Sequence, residues 1–214
     1  MWPFLLDLLF PRKSLGGRKG SWVTPEELSQ LTFQPIAYAR AALRARGILE
    51  LDALVAAGEY GASPLLRMLI HRFKFERVTD LEPVLGKLLL RAAGLLALPS
   101  DAVLCPVPLH WTREYQRGFN QSRRLADFLA RERGWQVQEL LMRVRRTGYQ
   151  SHRPKEDRHG AVANAFALCA GHPLPPAVIL VDDVCTTGAT LDACAHVLRA
   201  AGVRRVEGLV VAVG

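Results

Sequence analysis

Short apolar runs alternate with segments of helical periodicity along this chain. The runs at 102–105, 178–181 and 206–213 are predominantly apolar and rich in Val and Leu, which is typical of buried strands. Apolar residues recur at helical spacing in segments 64–75 and 189–200. Strands that alternate with helices in this way predict an α/β fold with a mostly parallel central sheet flanked by helices.

Residues that commonly start or end helices indicate where further helices lie. Ser63 followed by Pro64 predicts the start of a helix, and Asp80 is expected to cap the next one. Segment 111–120 is expected to be a polar loop, and the helix that follows it is expected to end at Gly134.

A basic segment lies between two further predicted strands. Residues 135–137 predict an edge strand, and residues 164–168 predict another strand. Segment 143–159, between them, carries six Arg or Lys residues and two acidic ones, a net charge of +4. Its periodicity is weak, so it predicts a mobile loop.

The length of 214 residues is sufficient for one domain with an extension, which we place at residues 59–214 and 1–58. No unbroken apolar run reaches about 18 residues, so no membrane-spanning helix is predicted. The N-terminal MWPFLLDLLF is shorter than a usual signal sequence and lacks a basic leader, so it predicts a docking helix. A cytoplasmic location is the resulting expectation.

Charge and cysteine content restrict the candidate partners. The net charge of +8 and the pI near 9.8 favour anionic partners, either phosphorylated small molecules or nucleic acid. The four cysteines have no CxxC spacing, which favours reduced thiols over disulfides or a zinc site.

The stretch VILVDDVCTTGAT, residues 178–190, is the strongest chemical signal. Asp182 and Asp183 close an apolar strand, at the sheet edge where open α/β sheets bind ligands. The following loop offers three threonine hydroxyls, a glycine and a helix N-terminus, all of which suit a phosphate. Carboxylates suit ribose hydroxyls or hydrated Mg²⁺. The combination predicts a phosphorylated ribose ligand rather than a simple helix cap, and it is neither a Walker loop nor GxGxxG.

This stretch resembles the phosphoribosyl-pyrophosphate (PRPP) signature of type I phosphoribosyltransferases. The segments LIHRFKF, CPVPLH, YQRGFNQSRRLADFLA and RTGYQSHRPKEDRHGAVANAF narrow the resemblance, over about residues 60–214, to the ComF family of competence-associated proteins. The resemblance implies a type I phosphoribosyltransferase fold that binds PRPP with Mg²⁺. It also implies displacement of pyrophosphate at the anomeric carbon by a nitrogen nucleophile, with no acceptor base indicated.

The resemblance also implies roles for individual residues. Asp182 and Asp183 would hold the ribose hydroxyls and the Mg²⁺ shell, and Arg158 would stabilise the leaving group. The 5′-phosphate would be held by Thr186, Thr187, Gly188, Ala189 and Thr190. The pyrophosphate loop would be the turn from Pro106 through Val107 and Pro108 to His110. Further polar positions match the family and are expected as loop or DNA contacts: Lys74, Arg117, Asn120, Gln121 and Asn164.

The sequence is also compatible with two other functions. The first is a non-catalytic protein that handles single-stranded DNA together with DNA-uptake proteins. Cations and aromatic residues that suit single strands are Arg145, Arg146, Arg153, Lys155, Tyr115, Phe119 and Tyr149. The second is a regulatory protein that senses PRPP.

The N-terminal region departs from the family. ComF proteins usually begin with CxxC pairs that form a zinc finger, and the corresponding pairs here are Ser14/Gly17 and Thr24/Glu27. Without thiolates a structural zinc site is not expected. Packing of aromatic and aliphatic residues is expected to hold the first 50 residues instead, through Trp2, Phe4, Leu8, Trp22 and Phe33.

Overall fold

A computed structural model describes residues 13–31, 34–96, 102–145, 164–171 and 173–214. Its helices are α1 Pro25–Ser29, α2 Arg40–Ala45, α3 Pro64–Phe75, α4 Glu82–Ala93, α5 Trp111–Arg117, α6 Gln121–Arg133 and α7 Ala189–Ala200. Its strands are β1 Ile36–Ala39, β2 Ala53–Glu59, β3 Val103–Pro106, β4 Gln136–Val137, β5 Leu141–Arg143, β6 Phe166–Leu168, β7 Ala177–Cys185 and β8 Arg205–Val213. A 3₁₀ turn covers Thr79–Leu81.

The central sheet has six strands in the order β1-β2-β8-β7-β3-β4. Five adjacent strands of this sheet are parallel to one another: β2, β8, β7, β3 and β4. The sixth strand, β1, pairs antiparallel with β2. The predicted α/β class with a mostly parallel sheet is therefore confirmed, as is the edge strand at Gln136–Val137. Strands β5 and β6 form a separate antiparallel pair.

Apolar side chains bury the sheet on both faces. Phe73 and Leu125 belong to a cluster formed with α3, α4 and α6, whereas Leu191 and Leu198 of α7 belong to the cluster on the other face. This two-sided burial explains why β7 reads as a continuous apolar run, since a parallel sheet covered by helices exposes neither face.

The prediction that Asp80 caps a helix is wrong. Helix α4 begins at Glu82, after the turn at Thr79–Leu81, and its N-cap position is Leu81. Asp80 instead accepts a hydrogen bond from Trp22 Nε1 at 3.1 Å, which ties the N-terminal region to this turn. The indole also packs against the core cluster. The tertiary contact replaces the local cap.

The predicted polar loop at 111–120 contains the helix α5. His110 caps this helix, because its Nδ1 accepts a hydrogen bond from the Thr112 N–H, and Gly118 ends it in the left-handed conformation with φ of 81°. The predicted basic loop also starts later than expected, because Arg143 is the last residue of β5.

Strand β2 crosses the predicted boundary between residues 58 and 59 and pairs in parallel with β8. The polypeptide on both sides of this boundary therefore contributes to one sheet. As a functional division, the boundary stays a prediction.

The four positions that correspond to the zinc cysteines lie close together. Glu27 accepts hydrogen bonds from Ser14 Oγ at 3.0 Å and from the Thr24 N–H at 2.8 Å, and it also accepts one from the Gly16 N–H. The Gly17 N–H donates to the Ser14 carbonyl at 3.0 Å. A hydrogen-bond cluster centred on a carboxylate thus occupies the positions that the resemblance aligned with zinc-finger cysteines.

Of the aromatic and aliphatic residues predicted to hold the N-terminal region, Trp22 packs against the core as described above. Trp2, Phe4, Leu8 and Phe33 lie outside the described residues. Across the described ranges, no helix combines the length and the apolar character that crossing a membrane requires.

Candidate functional site

The two adjacent carboxylates lie inside β7, not after it. The sequence prediction ended this strand at Val181, but β7 continues to Cys185 because it keeps pairing with β8 as far as Val213. Its other neighbour, β3, ends at Pro106, opposite Val181. Asp182 and Asp183 therefore lie where β7 extends past the carboxyl end of β3, which opens one side of the strand to a ligand.

Asp183 is almost fully buried and paired with a lysine. Only 4% of the residue is exposed, and its Oδ1 lies 2.8 Å from Lys74 Nζ. Lys74 comes from the last turn of α3. A buried carboxylate requires such a partner, because desolvation of an unpaired charge is costly. Lys74 thus lies beside the paired acids and lines the same cleft.

Asp182 makes a different set of contacts. Its Oδ1 accepts hydrogen bonds from Ser122 Oγ and from the Asp183 N–H, each at 2.8 Å. Burial, together with the negative charge of Asp183, raises the pKa of Asp182 to about 6, against the opposing effects of Lys74 and Ser122. Two close carboxylates therefore create a potential that favours a cation.

Segment 186–190 contains the turn between β7 and α7, residues 186–188, and the first two residues of α7. Gly188 adopts the left-handed conformation with φ of 78°, and a Cβ there would lie 2.2 Å from Ile48 Cδ1. Ala189 is the first residue of α7, and its N–H donates to Thr187 Oγ1 at 3.4 Å. A small cavity of about 40 Å³ is lined by Asp182 and residues 184–191. The turn thus combines a helix N-terminus with threonine hydroxyls beside a carboxylate.

Cys185 is the last residue of β7, directly before this turn, and the pKa of its thiol argues against a nucleophilic role. Burial raises the pKa of the thiol to about 11, so it stays protonated near neutral pH. The four cysteines are all free thiols, as predicted.

The RGFNQ segment, residues 117–121, runs from the last residue of α5 to the first residue of α6. Asn120 caps the helix by accepting from the Ser122 and Arg123 N–H groups, while its Nδ2 donates to the Val107 carbonyl at 3.2 Å. Arg117 Nη1 donates to Gln121 Oε1 at 2.9 Å. The segment therefore joins α6 to the turn after β3.

These elements enclose a cleft of about 350 Å³. Of the predicted site residues, it is lined by Lys74, Val107, Pro108, Arg117, Gln121, Asp182, Asp183, Thr186 and Thr190. Leu109, within the predicted turn 106–110, and Arg143, the first residue of the basic segment, also line it. The lining residues that were not predicted for the site are Tyr60, Ile70, His71, Phe75, Ser122 and Val184. The sequence holds one signal for Ser122 as a site residue, which is its position two residues after Asn120, the N-cap of α6.

The remaining predicted residues lie elsewhere. Thr187, Gly188 and Ala189 line the small cavity described above. Pro106, the last residue of β3, and Asn120, the N-cap of α6, do not line the cleft. Arg145 and Asn164 are exposed and lie outside the cleft. Arg146, Tyr149, Arg153, Lys155 and Arg158 lie outside the described residues.

The donor set fits a magnesium ion that is shared with a ligand. Within the described ranges, no group of three or more His, Cys, Asp or Glu side chains could hold a metal alone. Asp182 and Asp183 offer carboxylate oxygens, and Mg²⁺ commonly binds through one or two carboxylates together with substrate phosphates and water.

Comparison with known proteins places the chain among DNA-related relatives, although no protein-family model matches it. It is 35% identical over 168 residues to competence protein F of Haemophilus influenzae, covering 73% of this chain and 70% of that protein. It is 36% identical over 163 residues to the DNA utilization protein YhgH of Salmonella typhi, covering 72% and 69%. The YhgH protein of Escherichia coli K12 is 36% identical over 165 residues, with the same coverage. The chain therefore belongs to the ComF family.

Proposed function

We propose that this protein binds PRPP together with Mg²⁺ in the cleft, on a fold of the type I phosphoribosyltransferase kind. The observation that carries the proposal is the pair of carboxylates near the end of β7, Asp183 buried and Asp182 half-buried, shortly before a turn that leads into the N-terminus of α7. The turn suits a 5′-phosphate, because helix N-termini attract anions. The carboxylates suit the ribose hydroxyls and a hydrated cation.

Each part of the site then has a task. Thr186, Thr187 and Thr190 hold the 5′-phosphate together with the main chain at Gly188. Asp182 and Asp183 accept hydrogen bonds from ribose hydroxyls and hold Mg²⁺, which, when bound, neutralises negative charge on the departing pyrophosphate.

The chemistry that this ligand supports is displacement of pyrophosphate by a nitrogen nucleophile. Positive charge develops on the ribose ring during this step, and negative charge develops on the leaving group. Preorganised cations stabilise such a leaving group electrostatically. Lys74, Arg117 and Arg143 line the cleft and supply such charge, and Arg158 would add to it from outside the described residues.

The biological setting follows from the relatives. Those reported above are named for competence and for DNA utilization. We propose that this protein also acts in competence or in the use of incoming DNA, with its PRPP site serving that process.

The test is a double substitution, Asp182→Asn with Asp183→Asn. It keeps the size and hydrogen-bonding ability of both side chains and removes both charges. We expect Mg²⁺-dependent PRPP affinity, measured by calorimetry, to fall at least tenfold, about 1.4 kcal/mol. Wild-type protein gains thermal stability from PRPP with Mg²⁺ by mass action, and the double variant does not. A wild-type protein without any PRPP response, or a variant that responds equally, contradicts the proposed function.

A second candidate is a non-catalytic protein that handles single-stranded DNA. The observation that favours it is a pair of exposed aromatic residues on α5: Trp111 is 71% exposed and Tyr115 is 85% exposed. Both precede Arg117, which lines the cleft. Aromatic side chains next to cations bind single strands by stacking. PRPP turnover with a panel of nucleobases favours the enzyme. PRPP binding without turnover favours a ligand-regulated DNA protein.

A further inference from the structure

Gln121 lines the cleft and carries a buried amide donor that has no partner among the described residues. Gln121 is the first residue of α6, is 1% exposed and lines the cleft. Its Oε1 accepts from Arg117 Nη1 at 2.9 Å, whereas its Nε2 has no partner among the described residues. The orientation of the amide is fixed, because a guanidinium can only donate and must therefore face the carbonyl oxygen. The NH₂ group is left for another acceptor.

A buried donor without a partner is uncommon in folded proteins and calls for an explanation. The carbonyl end of Gln121 is satisfied by Arg117, so only the donor end lacks a partner. Its place on the wall of the cleft makes a ligand oxygen the natural acceptor.

Residues 106–108, the first part of the neighbouring turn after β3, have no main-chain N–H left for a pyrophosphate. Pro106 and Pro108 have no N–H, and the Val107 N–H donates to the Val181 carbonyl at 3.0 Å. The Val107 carbonyl is in turn bound by Asn120 Nδ2. Residues 106–108 therefore offer shape but no main-chain hydrogen-bond donor to an anion.

The surroundings of Gln121 favour a negatively charged acceptor. Helix α6 is 13 residues long, so the positive end of its dipole adds to the field at its first turn. Lys74 and Arg143 line the same cleft. A phosphate or diphosphate oxygen matches both the donor and the charge.

We propose that the side-chain amide of Gln121, at the first turn of α6, binds the diphosphate of PRPP, with Arg117 as the residue that orients the amide. This inference rests on the proposed function and adds to it the group that holds the diphosphate in place of the turn at 106–108. It assigns the diphosphate and the 5′-phosphate to different elements, α6 and the turn before α7. The same phosphate chemistry occurs in a DNA backbone, so the test distinguishes the two sources.

The test compares Gln121→Leu with Gln116→Leu, which makes the same change at an exposed glutamine outside the cleft. Calorimetry measures the binding of PRPP with Mg²⁺, inorganic pyrophosphate with Mg²⁺, ribose 5-phosphate and a single-stranded oligonucleotide. We expect Gln121→Leu to weaken PRPP and pyrophosphate at least tenfold. We expect ribose 5-phosphate, which lacks the diphosphate, to change less than twofold. Gln116→Leu leaves all four affinities unchanged.

Gln121→Glu provides a second variant of the same size. Its carboxylate retains the contact with Arg117 but replaces the donor with a charge that repels an anion. We expect it to weaken pyrophosphate more than Gln121→Leu does. Thermal melting without ligand verifies that each variant is folded.

The outcomes separate this inference from the proposed function. Wild-type protein that binds neither PRPP nor pyrophosphate overturns both. Wild-type protein that binds PRPP, together with a Gln121→Leu variant that binds it equally, overturns only the role of Gln121. A loss confined to the oligonucleotide assigns the subsite to DNA phosphates and overturns the diphosphate assignment.

Discussion

At the scale of single residues, the adjacent acids Asp182 and Asp183 are stabilised by different partners. Lys74 Nζ lies 2.8 Å from Asp183, and Ser122 Oγ donates to Asp182 at the same distance. One carboxylate thus receives a full countercharge, and the other receives neutral donors. The two carboxylates together have only one positively charged partner, and this charge balance favours the binding of a cation.

We predict that Lys74→Gln destabilises the unliganded protein by up to about 3 kcal/mol, because Asp183 is left buried without its countercharge. Added Mg²⁺ then raises the melting temperature of the variant more than that of the wild type, since the ion takes the place of the ammonium group. Thermal melts with and without Mg²⁺ measure both effects. Lys87→Gln, at an exposed lysine of α4, is the control. Equal melting temperatures and equal Mg²⁺ responses in Lys74→Gln and wild type contradict the prediction.

Glu207 provides a prediction about pH. It is 1% exposed on β8, and its burial raises its pKa above 4.5 despite the hydrogen bond from Arg205 Nε at 2.7 Å. The folded protein therefore holds this proton to a higher pH than the unfolded chain does. Its contribution to stability is full below pH 4.5 and is lost as the pH rises through the folded-state pKa.

Replacement of Glu207 by Gln removes this titration, so we expect the free energy of unfolding to vary less with pH above 4.5. Denaturant titrations over a series of pH values measure the slope. Glu59→Gln, at the exposed end of β2, controls for the loss of any carboxylate. The prediction is wrong if Glu207→Gln and wild type have the same slope.

At the scale of elements, α1 shows how the N-terminal region is held without cysteines at the zinc-finger positions. Glu27 is the centre of the cluster with Ser14, Gly16 and Thr24. Burial acts to raise its pKa, but hydrogen bonds from the Thr24 and Gly16 N–H groups and from Ser14 outweigh this effect and lower it. The stabilisation is therefore present above the ordinary carboxyl pKa and is lost as the pH falls through the lower, folded-state value.

We predict that Glu27→Gln lowers the stability of the protein by about 1–2 kcal/mol, because hydrogen bonds to a carboxylate are weakened or lost. Glu26→Gln alters the same helix at an exposed side chain and is expected to have little effect. Denaturant melts measure both variants. A zinc chelator should change neither the wild type nor the variants, and metal analysis should find no stoichiometric zinc. One dialysis-resistant zinc per chain contradicts this prediction.

The turn between β7 and α7 depends on a glycine. Gly188 and Gly202 both have positive φ, but only at Gly188 does an added Cβ meet another side chain, that of Ile48. We predict that Gly188→Ala disturbs the phosphate turn and weakens PRPP at least tenfold. Gly202→Ala adds only the conformational cost of a positive φ, about 1 kcal/mol of stability, and leaves the PRPP affinity unchanged. Calorimetry on the two variants measures the difference, and equal PRPP affinities contradict the role given to the Gly188 contact.

Periodicity predicted the elements that have a clear apolar stripe or an unbroken apolar run, such as α3, α7 and β7. It missed α5, a short helix whose exposed face carries Trp111 and Tyr115, because seven residues without a buried stripe resemble a loop. The paired acids were predicted from a contiguous motif. Their partners are 109 and 60 residues away, and such contacts depend on how α3 and α6 pack against β7.

At the scale of the whole molecule, the net charge of +8 includes two local groups of basic residues, one in the cleft and one in the segment 143–159. Lys74, Arg117 and Arg143 line the cleft. The basic segment 143–159 begins at the end of β5, so its first residue belongs to the cleft wall. A polyanion that enters the cleft would therefore meet Arg143, the first residue of this segment.

Binding of single-stranded DNA, the second candidate function, should depend on this basic segment. We predict that replacing Arg145, Arg146, Arg153 and Lys155 by Ala lowers the affinity and reduces the magnitude of the slope of log affinity against log salt by up to about 3, because fewer counterions are released. The control replaces four exposed cations outside the cleft, which lowers the net charge equally: Arg18, Lys19, Arg67 and Arg91. Fluorescence anisotropy over a salt series measures both sets. Equal slopes in the two variants would mean that DNA responds only to net charge, whereas a loss confined to the first places the strand along segment 143–159.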